Sequence, residues 1–418
     1  MHILIVTDQH PESLGGVQVA IRLQRRFLER LGHRVTIAAP ALHRPGTETD
    51  PANAEAYIDL PSRPITKDRE YGLSWPGART DRALAARLAE LPRVDLVHVQ
   101  GDFWGALIGL RAARGLRVPV VLTLHNNVDE GTRAVSPGLA PLAFRALRVW
   151  RGITLGRVRP VRRGGPDGRG AVDRSANGAW RYLASLAAEA SIVTAPSPHF
   201  AEALRVHGVA ERVAITPNGV DDEAIAEVRA LPRSARTRPR LVWLGRMSAE
   251  KRVLEFIEAV AMSGIDADVA LHGAGLLLGK VERRIAELGL ADRVTIPGPV
   301  PYRDALAAIH DADALVQTSI GFETQGLTPF EAAALGTPTI FCDRRIAADV
   351  AVSPSWRVPD SSVAALARTL SAAVERLSAE AAAGTQLRVA ESESRRFLQS
   401  TRVEELVEVY ERAVALKS

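Results

Sequence analysis

The chain has 418 residues, of which 46% are apolar and 24% charged, with one cysteine and a formal net charge of +5. Such a length exceeds what one hydrophobic core supports and points to more than one domain. The lone Cys342 excludes an internal disulfide framework and suits a reducing compartment, and no apolar run has the length of a bilayer span.

In chain order, His2–Thr7 reads as a first β-strand and not a signal peptide, because it is short, lacks a basic flank and turns acidic at Asp8. A helix follows. Val17, Ala20, Ile21, Gln24, Phe27, Leu28 and Leu31 form its inner stripe, with one polar member. Arg22, Arg25, Arg26, Glu29 and Arg30 face outward, and Gly32 supplies the stop. Further strands are expected at 35–39, 95–99, 118–124 and 191–195. A second set is expected at 213–216, 240–245, 268–272, 293–297 and 338–342, with helical stretches between most of them.

This alternation predicts an α/β fold of parallel sheets built from βαβ units. Pro196, Pro198, Pro217 and Gly219 cluster between the two strand sets, which puts the junction at 196–220. The expected domains are 1–200 and 213–395, both doubly wound, with a C-terminal helix (401–418) packing back on the first. Val403, Leu406, Val407 and Tyr410 lie on one side of that helix. Residues 151–178, rich in glycine, arginine and proline, read as a surface loop or insertion. Ligands in such folds bind beyond the C-terminal edges of the strands.

Four stretches carry candidate chemistry. In Glu323–Gly336 (ETQGLTPFEAAALG) a loop enters a short helix. Thr328 as N-cap, Pro329 at N1 and Glu331 at N3 would make a capping box, which by itself accounts for Glu331. Glu323 caps nothing obvious, and Gln325, Gly326 and Leu327 bring backbone N–H groups to a helix N-terminus, a seat for negative charge. In Leu241–Arg252 an apolar strand ends at Gly245, followed by the cations Arg246 and Lys251, which suit a diphosphate or simply a solvated surface. Gly15 and Gly16 stand between the first strand and the first helix, as a phosphate loop or a plain turn. His125 ends the strand VVLTL, where a side chain points toward the ligand edge or plays a structural part.

Other chemistries find no support. There is no cysteine pair, no H-E-x-x-H for a metal and no G-x-S-x-G for a serine hydrolase. Asp221 and Asp222 read as helix caps.

The ordered set of motifs resembles retaining glycosyltransferases of family 4, which have the GT-B fold of two Rossmann-like domains facing each other across a cleft. The set is GG (15–16), His125, S-x-x-F (197–200), PNGVD (217–221), LGRMSAEK (244–251), HGAG (272–275), PGPV (297–300) and E-x7-E (323–331). This resemblance spans nearly the whole chain. It implies that Arg246 and Lys251 bind the donor diphosphate, that Glu331 holds the ribose, and that Glu323 contacts the transferred sugar. It also implies that the amides of Gln325, Gly326 and Leu327 hold oxygens of sugar and phosphate, with Gly245 allowing close approach. Gly16 would close on the diphosphate and His125 would touch the sugar. Such enzymes retain configuration by front-face attack and need no metal or other cofactor. Two positions depart from the family pattern: Arg252 stands where glycine is usual, and Gln100 replaces the second histidine of H-x-H.

The wording ETQGLT resembles the branch that glycosylates diacylglycerol-type lipids. Independently, the charge is local. Residues 145–174 hold nine arginines against Asp167 and Asp173, a sum of +7, so the rest of the chain totals −2. Basic side chains near an anionic leaflet contribute about 1 kcal/mol each, and Trp150 with the apolar residues at 147, 149, 153 and 155 would supply a shallow apolar contact. A flexible basic loop is the plain alternative. A nucleic-acid partner is disfavoured, since aromatics are not interleaved with the arginines.

The expected activity is transfer of a hexose from a nucleotide diphosphate sugar, of the GDP-mannose or UDP-glucose type, to a lipid or glycolipid hydroxyl. The expected place is the cytoplasm, at the inner face of the membrane. The alternatives are a soluble sugar or glycan acceptor, or a GT-B-like protein that only binds a sugar nucleotide.

Overall fold

Strand β1 (His2–Thr7) is buried at every position, as expected of a parallel strand covered on both faces. Its alternate side chains serve two cores. Leu4 and Val6 pack with Leu107 and Leu110 from the helix Trp104–Leu116. Ile3 and Ile5 pack with Ile21 and Leu28 of the first helix, Gly16–Arg30, and with Val403, Leu406 and Tyr410 of the helix Gln399–Ala415.

This computed structural model describes residues 1–13, 15–44, 56–129, 132, 140–156 and 178–417. The chain divides into two units, one of Met1–Asn218 with Arg402–Ser418 and one of Gly219–Thr401. In the first unit the strands after β1 are β2 (Arg34–Pro40), β3 (Tyr57–Leu60), β4 (Ser62–Pro64), β5 (Gly72–Ser74), β6 (Leu96–Gln100), β7 (Val120–Thr123), β8 (Ile192–Ala195) and β9 (Ala214–Ile215). Seven of them form one sheet in the order β3-β2-β1-β6-β7-β8-β9, and β4 pairs with β5 separately and antiparallel. The second unit has β10 (Arg240–Leu244), β11 (Asp268–His272), β12 (Val294–Gly298), β13 (Ala314–Gln317), β14 (Thr339–Phe341) and β15 (Ser355–Arg357), in the order β12-β11-β10-β13-β14-β15. Both larger sheets are parallel throughout. The α/β expectation therefore holds, and each sheet reverses its winding once, between β1 and β6 and between β10 and β13.

Four expectations need correction. The segment 213–216, read as opening the second strand set, pairs through β9 with β8 and closes the first sheet. Strands β3, β4, β5, β13 and β15 lie outside the expected set; each is only three or four residues long, too short to show a period. Residues 151–155 are not loop but the end of the helix Ala140–Leu155, and Gly178 opens the helix Gly178–Ala187. The remainder of that expected insertion, 157–177, lies outside the described residues. In the first helix, Leu31 is exposed rather than inward, because the helix stops at Arg30 and Gly32, at φ 81, turns the chain away.

Candidate active site

In the second unit, the reversal of winding leaves the C-terminal ends of β10 and β13 side by side, the position where open α/β sheets bind ligands. The loop after β10 carries Gly245, Arg246 and Lys251, and the loop after β13 carries Glu323, Gln325 and Gly326. Lys251 Nζ forms an ion pair with Glu323, so the two loops meet through these side chains. Two further bonds fix their approach: Trp243 Nε1 of β10 donates to Thr318 Oγ1 at 2.8 Å, and Thr318 Oγ1 donates to the Lys251 carbonyl. Arg246 is exposed on the same loop as Lys251, and no ion pair engages its guanidinium among the described residues.

A third loop, after β11, zips onto the first. Gly245 N donates to the His272 carbonyl at 3.1 Å and Met247 N to the Ala274 carbonyl at 2.9 Å. The approach is close enough that a Cβ on Gly275 would lie 2.5 Å from the Met247 carbonyl oxygen, which explains the small residues of the HGAG motif.

The loop before Leu327 is braced from below. Gln317 Nε2 donates to the Ser319 carbonyl at 2.7 Å, and Gly321 N donates to Asp343 at 2.8 Å. Gly326 then takes φ 70 and acts as N-cap of the helix Leu327–Ala334, with no side chain capping it. A helix N-terminus opened by such a turn is a position that suits an anion. Gln325 is buried at the start of this turn.

The expected capping box is absent. Thr328 lies inside the helix and caps nothing, because the glycine turn starts the helix two residues earlier. Glu331 is instead a buried carboxyl with the Tyr302 side chain next to it. Burial pushes it up to about 7, and the neighbouring Tyr302 hydroxyl offsets part of that rise. Sequence reasoning missed Tyr302: it opens the helix Tyr302–Asp311, twenty-nine positions from its partner, and nothing local couples the two.

Arg252, where the family pattern has glycine, sits at φ 53 and ψ 37, the left-handed conformation that explains the usual glycine. Its guanidinium donates to the Ser361 carbonyl at 2.6 Å and lies 3.7 Å from Glu255. Asp221 behaves as read from sequence: it caps the helix Asp222–Arg229 through Glu223 N and Ala224 N.

Gly16 and His125 belong to the first unit. Gly16 begins the first helix, exposed, just after Gly15 at φ 146. His125 follows β7 and is buried. Its Nε2 donates to Gln100 Oε1 at 3.1 Å, Gln100 Nε2 donates to Gln24 Oε1 at 2.6 Å, and Gln24 Nε2 donates to Asn218 Oδ1 at 3.1 Å. This one-way chain of amides assigns the proton to Nε2 of His125. Burial lowers the imidazole to about 4, so it is neutral at physiological pH. The Gln24 left over in the apolar stripe of the first helix is thus a member of a polar relay. His98 beside it is bonded to Tyr410 at 2.7 Å and to Thr123 at 2.7 Å. Two acids adjoin this relay, Asp102 buried and Asp8 half-buried. Asp8 accepts from the amides of Asp102, Phe103 and Gly105, and Asp102 accepts from those of His125 and Asn126. Desolvation and mutual repulsion raise Asp102 to about 7.

Among the described residues no helix is long and apolar enough to cross a membrane.

Residues 15–219 match the family described as Glycosyl transferase 4-like domain, and residues 224–385 match Glycosyl transferases group 1. The chain is 24% identical to the alpha-monoglucosyldiacylglycerol synthase of Streptococcus pneumoniae, over 81% of this chain and 70% of that one. It is 27% identical to the 2-deoxystreptamine glucosyltransferase of Streptomyces kanamyceticus, over 85% of this chain and 88% of that one. Among solved structures it resembles Anabaena HepE in complex with UDP-glucose, with a TM-score of 0.64 at 18% identity, covering 98% of this chain and 99% of that one. Two parallel sheets, each wound in both directions, and two glycosyltransferase matches laid end to end identify the protein: it belongs to the glycosyltransferases with the GT-B fold.

Proposed function

We propose that the enzyme moves a hexose from a nucleotide diphosphate sugar, of the UDP-glucose or GDP-mannose type, to the hydroxyl of a lipid or glycolipid at a membrane surface, with retention of configuration. The observation that carries the donor half is the meeting of Lys251 and Glu323 from adjacent loops, with the exposed Arg246 on the first loop and a helix N-terminus opened by Gly326 on the second. Two cations and backbone amides suit a diphosphate. They would stabilise the charge that grows on it as the sugar leaves, which is worth several kcal/mol in a preorganised site. In this reading Lys251 is already aimed by Glu323, whose carboxylate is exchanged for a sugar hydroxyl contact when donor arrives. Glu331 holds the ribose hydroxyls, Gly16 closes on the diphosphate, and neutral His125 donates or accepts at the sugar without bearing charge. No residue here needs to act as a nucleophile, and the two cations do the work that a metal does elsewhere.

The lipid half is supported by the relation to a diacylglycerol glycolipid synthase and by the +7 charge of residues 145–174. A soluble acceptor is the second reading, favoured by the relation to a 2-deoxystreptamine glucosyltransferase.

A panel of UDP-, GDP- and ADP-sugars, read by thermal stabilisation and slow hydrolysis, identifies the donor. The chosen donor is then offered diacylglycerol, a monoglycosyl lipid and 2-deoxystreptamine. Glycosylation of the aminocyclitol alone would sink the lipid reading, and no response to any nucleotide sugar would sink the donor site.

A further inference from the structure

The helix Ala140–Leu155 is two-faced in an unusual sense. Its inner side buries Phe144 and Leu155, with Leu147 and Trp150 packed against the core of the first unit. Its outer side is also apolar: Leu142 is 64% exposed, Val149 54% and Ile153 80%. At 100° per residue these three, with Ala146, fall within an arc of about 60° and run about 16 Å along the helix. Trp75, 63% exposed, stands next to this helix, its ring 5.4 Å from that of Trp150. Leu147 and Leu155, expected from sequence to form an apolar contact, are thus turned away from it.

The helix is firmly seated rather than loose. Arg151 is buried against Glu189 and the Ser185 carbonyl. Arg111 and Arg114 donate to the carbonyls of Thr154 and Leu155, both at 2.7 Å.

We propose that the outer stripe Leu142–Val149–Ile153, with Trp75, is the surface by which the enzyme docks on an anionic lipid membrane; the proposal rests on the lipid-acceptor reading above. The choice of occupant comes from charge. The helix contains three arginines and no carboxylate. Arg145 is exposed and lies beside the stripe, and no acid pairs with it among the described residues. The chain beyond it adds six more arginines by 174 against two aspartates. A row of aliphatics flanked by Arg145 and Trp75 on a helix that itself has no carboxylate fits the headgroup–acyl boundary of an anionic leaflet. A protein partner or a second copy would be expected to meet mixed charge around the apolar centre.

The test is flotation of the full chain with vesicles of phosphatidylglycerol and phosphatidylcholine, and with phosphatidylcholine alone. The protein is expected to float with the anionic vesicles, less so at high salt. Leu142→Ser/Val149→Ser/Ile153→Ser is expected to lower the bound fraction about tenfold, with its thermal midpoint and donor hydrolysis unchanged. Ile153→Ser alone, at the most exposed position, is expected to lower it about threefold. Binding that ignores both variants, absence of binding by the parent, or a parent dimer that the triple variant dissociates would each overturn the proposal. Turnover of a short-chain diacylglycerol in detergent micelles separates the two readings. If the parent floats through the stripe but glycosylates no lipid, the acceptor reading fails and the surface stands. If micellar lipid is glycosylated while flotation ignores the variants, the surface fails and the acceptor reading stands.

Discussion

The Tyr302 side chain stands next to the buried Glu331, and this burial, not a helix cap, is the setting of the second carboxyl of the E-x7-E pair. Glu331 is buried, with its carboxyl pushed from the ordinary 4.5 up to about 7. A carboxyl raised in the folded state contributes stability that is full below its unfolded value and lost as pH rises through the folded one. Glu331→Gln keeps the size of the side chain beside Tyr302 and removes the charge. Relative to the parent, its stability should rise by on the order of 3 kcal/mol between pH 4 and pH 8, measured by denaturant unfolding at both. Donor affinity should fall at least tenfold if the residue holds ribose. A capping role would give the opposite pair of results: a loss of about 1 kcal/mol at every pH and unchanged affinity.

Lys251 and Glu323 are partly exposed, so their ion pair contributes under about 1 kcal/mol to folding. Lys251→Ala should therefore leave the unfolding midpoint almost unmoved while kcat drops by a factor of about 100 to 1,000. Glu323→Gln should also lose rate, and the double variant should lose less than the sum, because the two act as a unit. Additive losses would mean that the pair seen here has no part in the reaction. Normal turnover in Lys251→Ala would remove the residue from the donor site altogether.

What the sequence made legible follows from range. The long apolar strands, the first helix, the cap at Asp221 and the place of Gly245, Arg246 and Lys251 after a strand all rest on neighbours within a few positions. The pairing of Lys251 with Glu323 spans seventy-two positions and that of Gln24 with Asn218 spans 194. No periodicity reports such contacts. Thr328–Glu331 shows the converse error: the four-residue pattern fits a capping box, but Gly326 at φ 70 starts the helix earlier and the pattern never operates. Gln24 carried a signal, as the one polar residue in an apolar stripe, and Gln100 carried another as a departure from H-x-H; the hydrogen bond between them accounts for both.

Gln100 is the hub of that relay, buried between His125, Gln24 and His98. Gln100→Leu leaves the Gln24 carbonyl and the His125 ring N–H without their partner, which should cost about 2–4 kcal/mol in unfolding free energy. Since His125 Nε2 would no longer be held, kcat should fall more than donor affinity. Burial lowers His98 to about 3 and His125 to about 4. Their neutral forms contribute stability that is full above the unfolded value near 6.5 and lost as pH falls through the folded values. Ring signals from these two histidines should accordingly show no titration between pH 8 and pH 5 by NMR. A midpoint near 6.5 for either would refute the closed relay.

Arg252 carries a conformational cost and a compensation at one position. A non-glycine residue in the left-handed region costs roughly 1–2 kcal/mol, and the bond from its guanidinium to the Ser361 carbonyl, on the exposed side, returns about 1 kcal/mol. Arg252→Gly should therefore change unfolding free energy by no more than about 1 kcal/mol in either direction. Arg252→Val, which loses the same bond but must hold a β-branched side chain at φ 53, should lie about 2 kcal/mol below the glycine variant. The backbone at this residue hands the chain from the turn Ala249–Lys251 to the helix Val253–Ser263. The valine variant should thus also disturb Lys251, whose carbonyl is fixed by Thr318, and raise the apparent KM for donor. Equal stability and equal KM in the two variants would show that the left-handed turn places neither the helix nor the lysine.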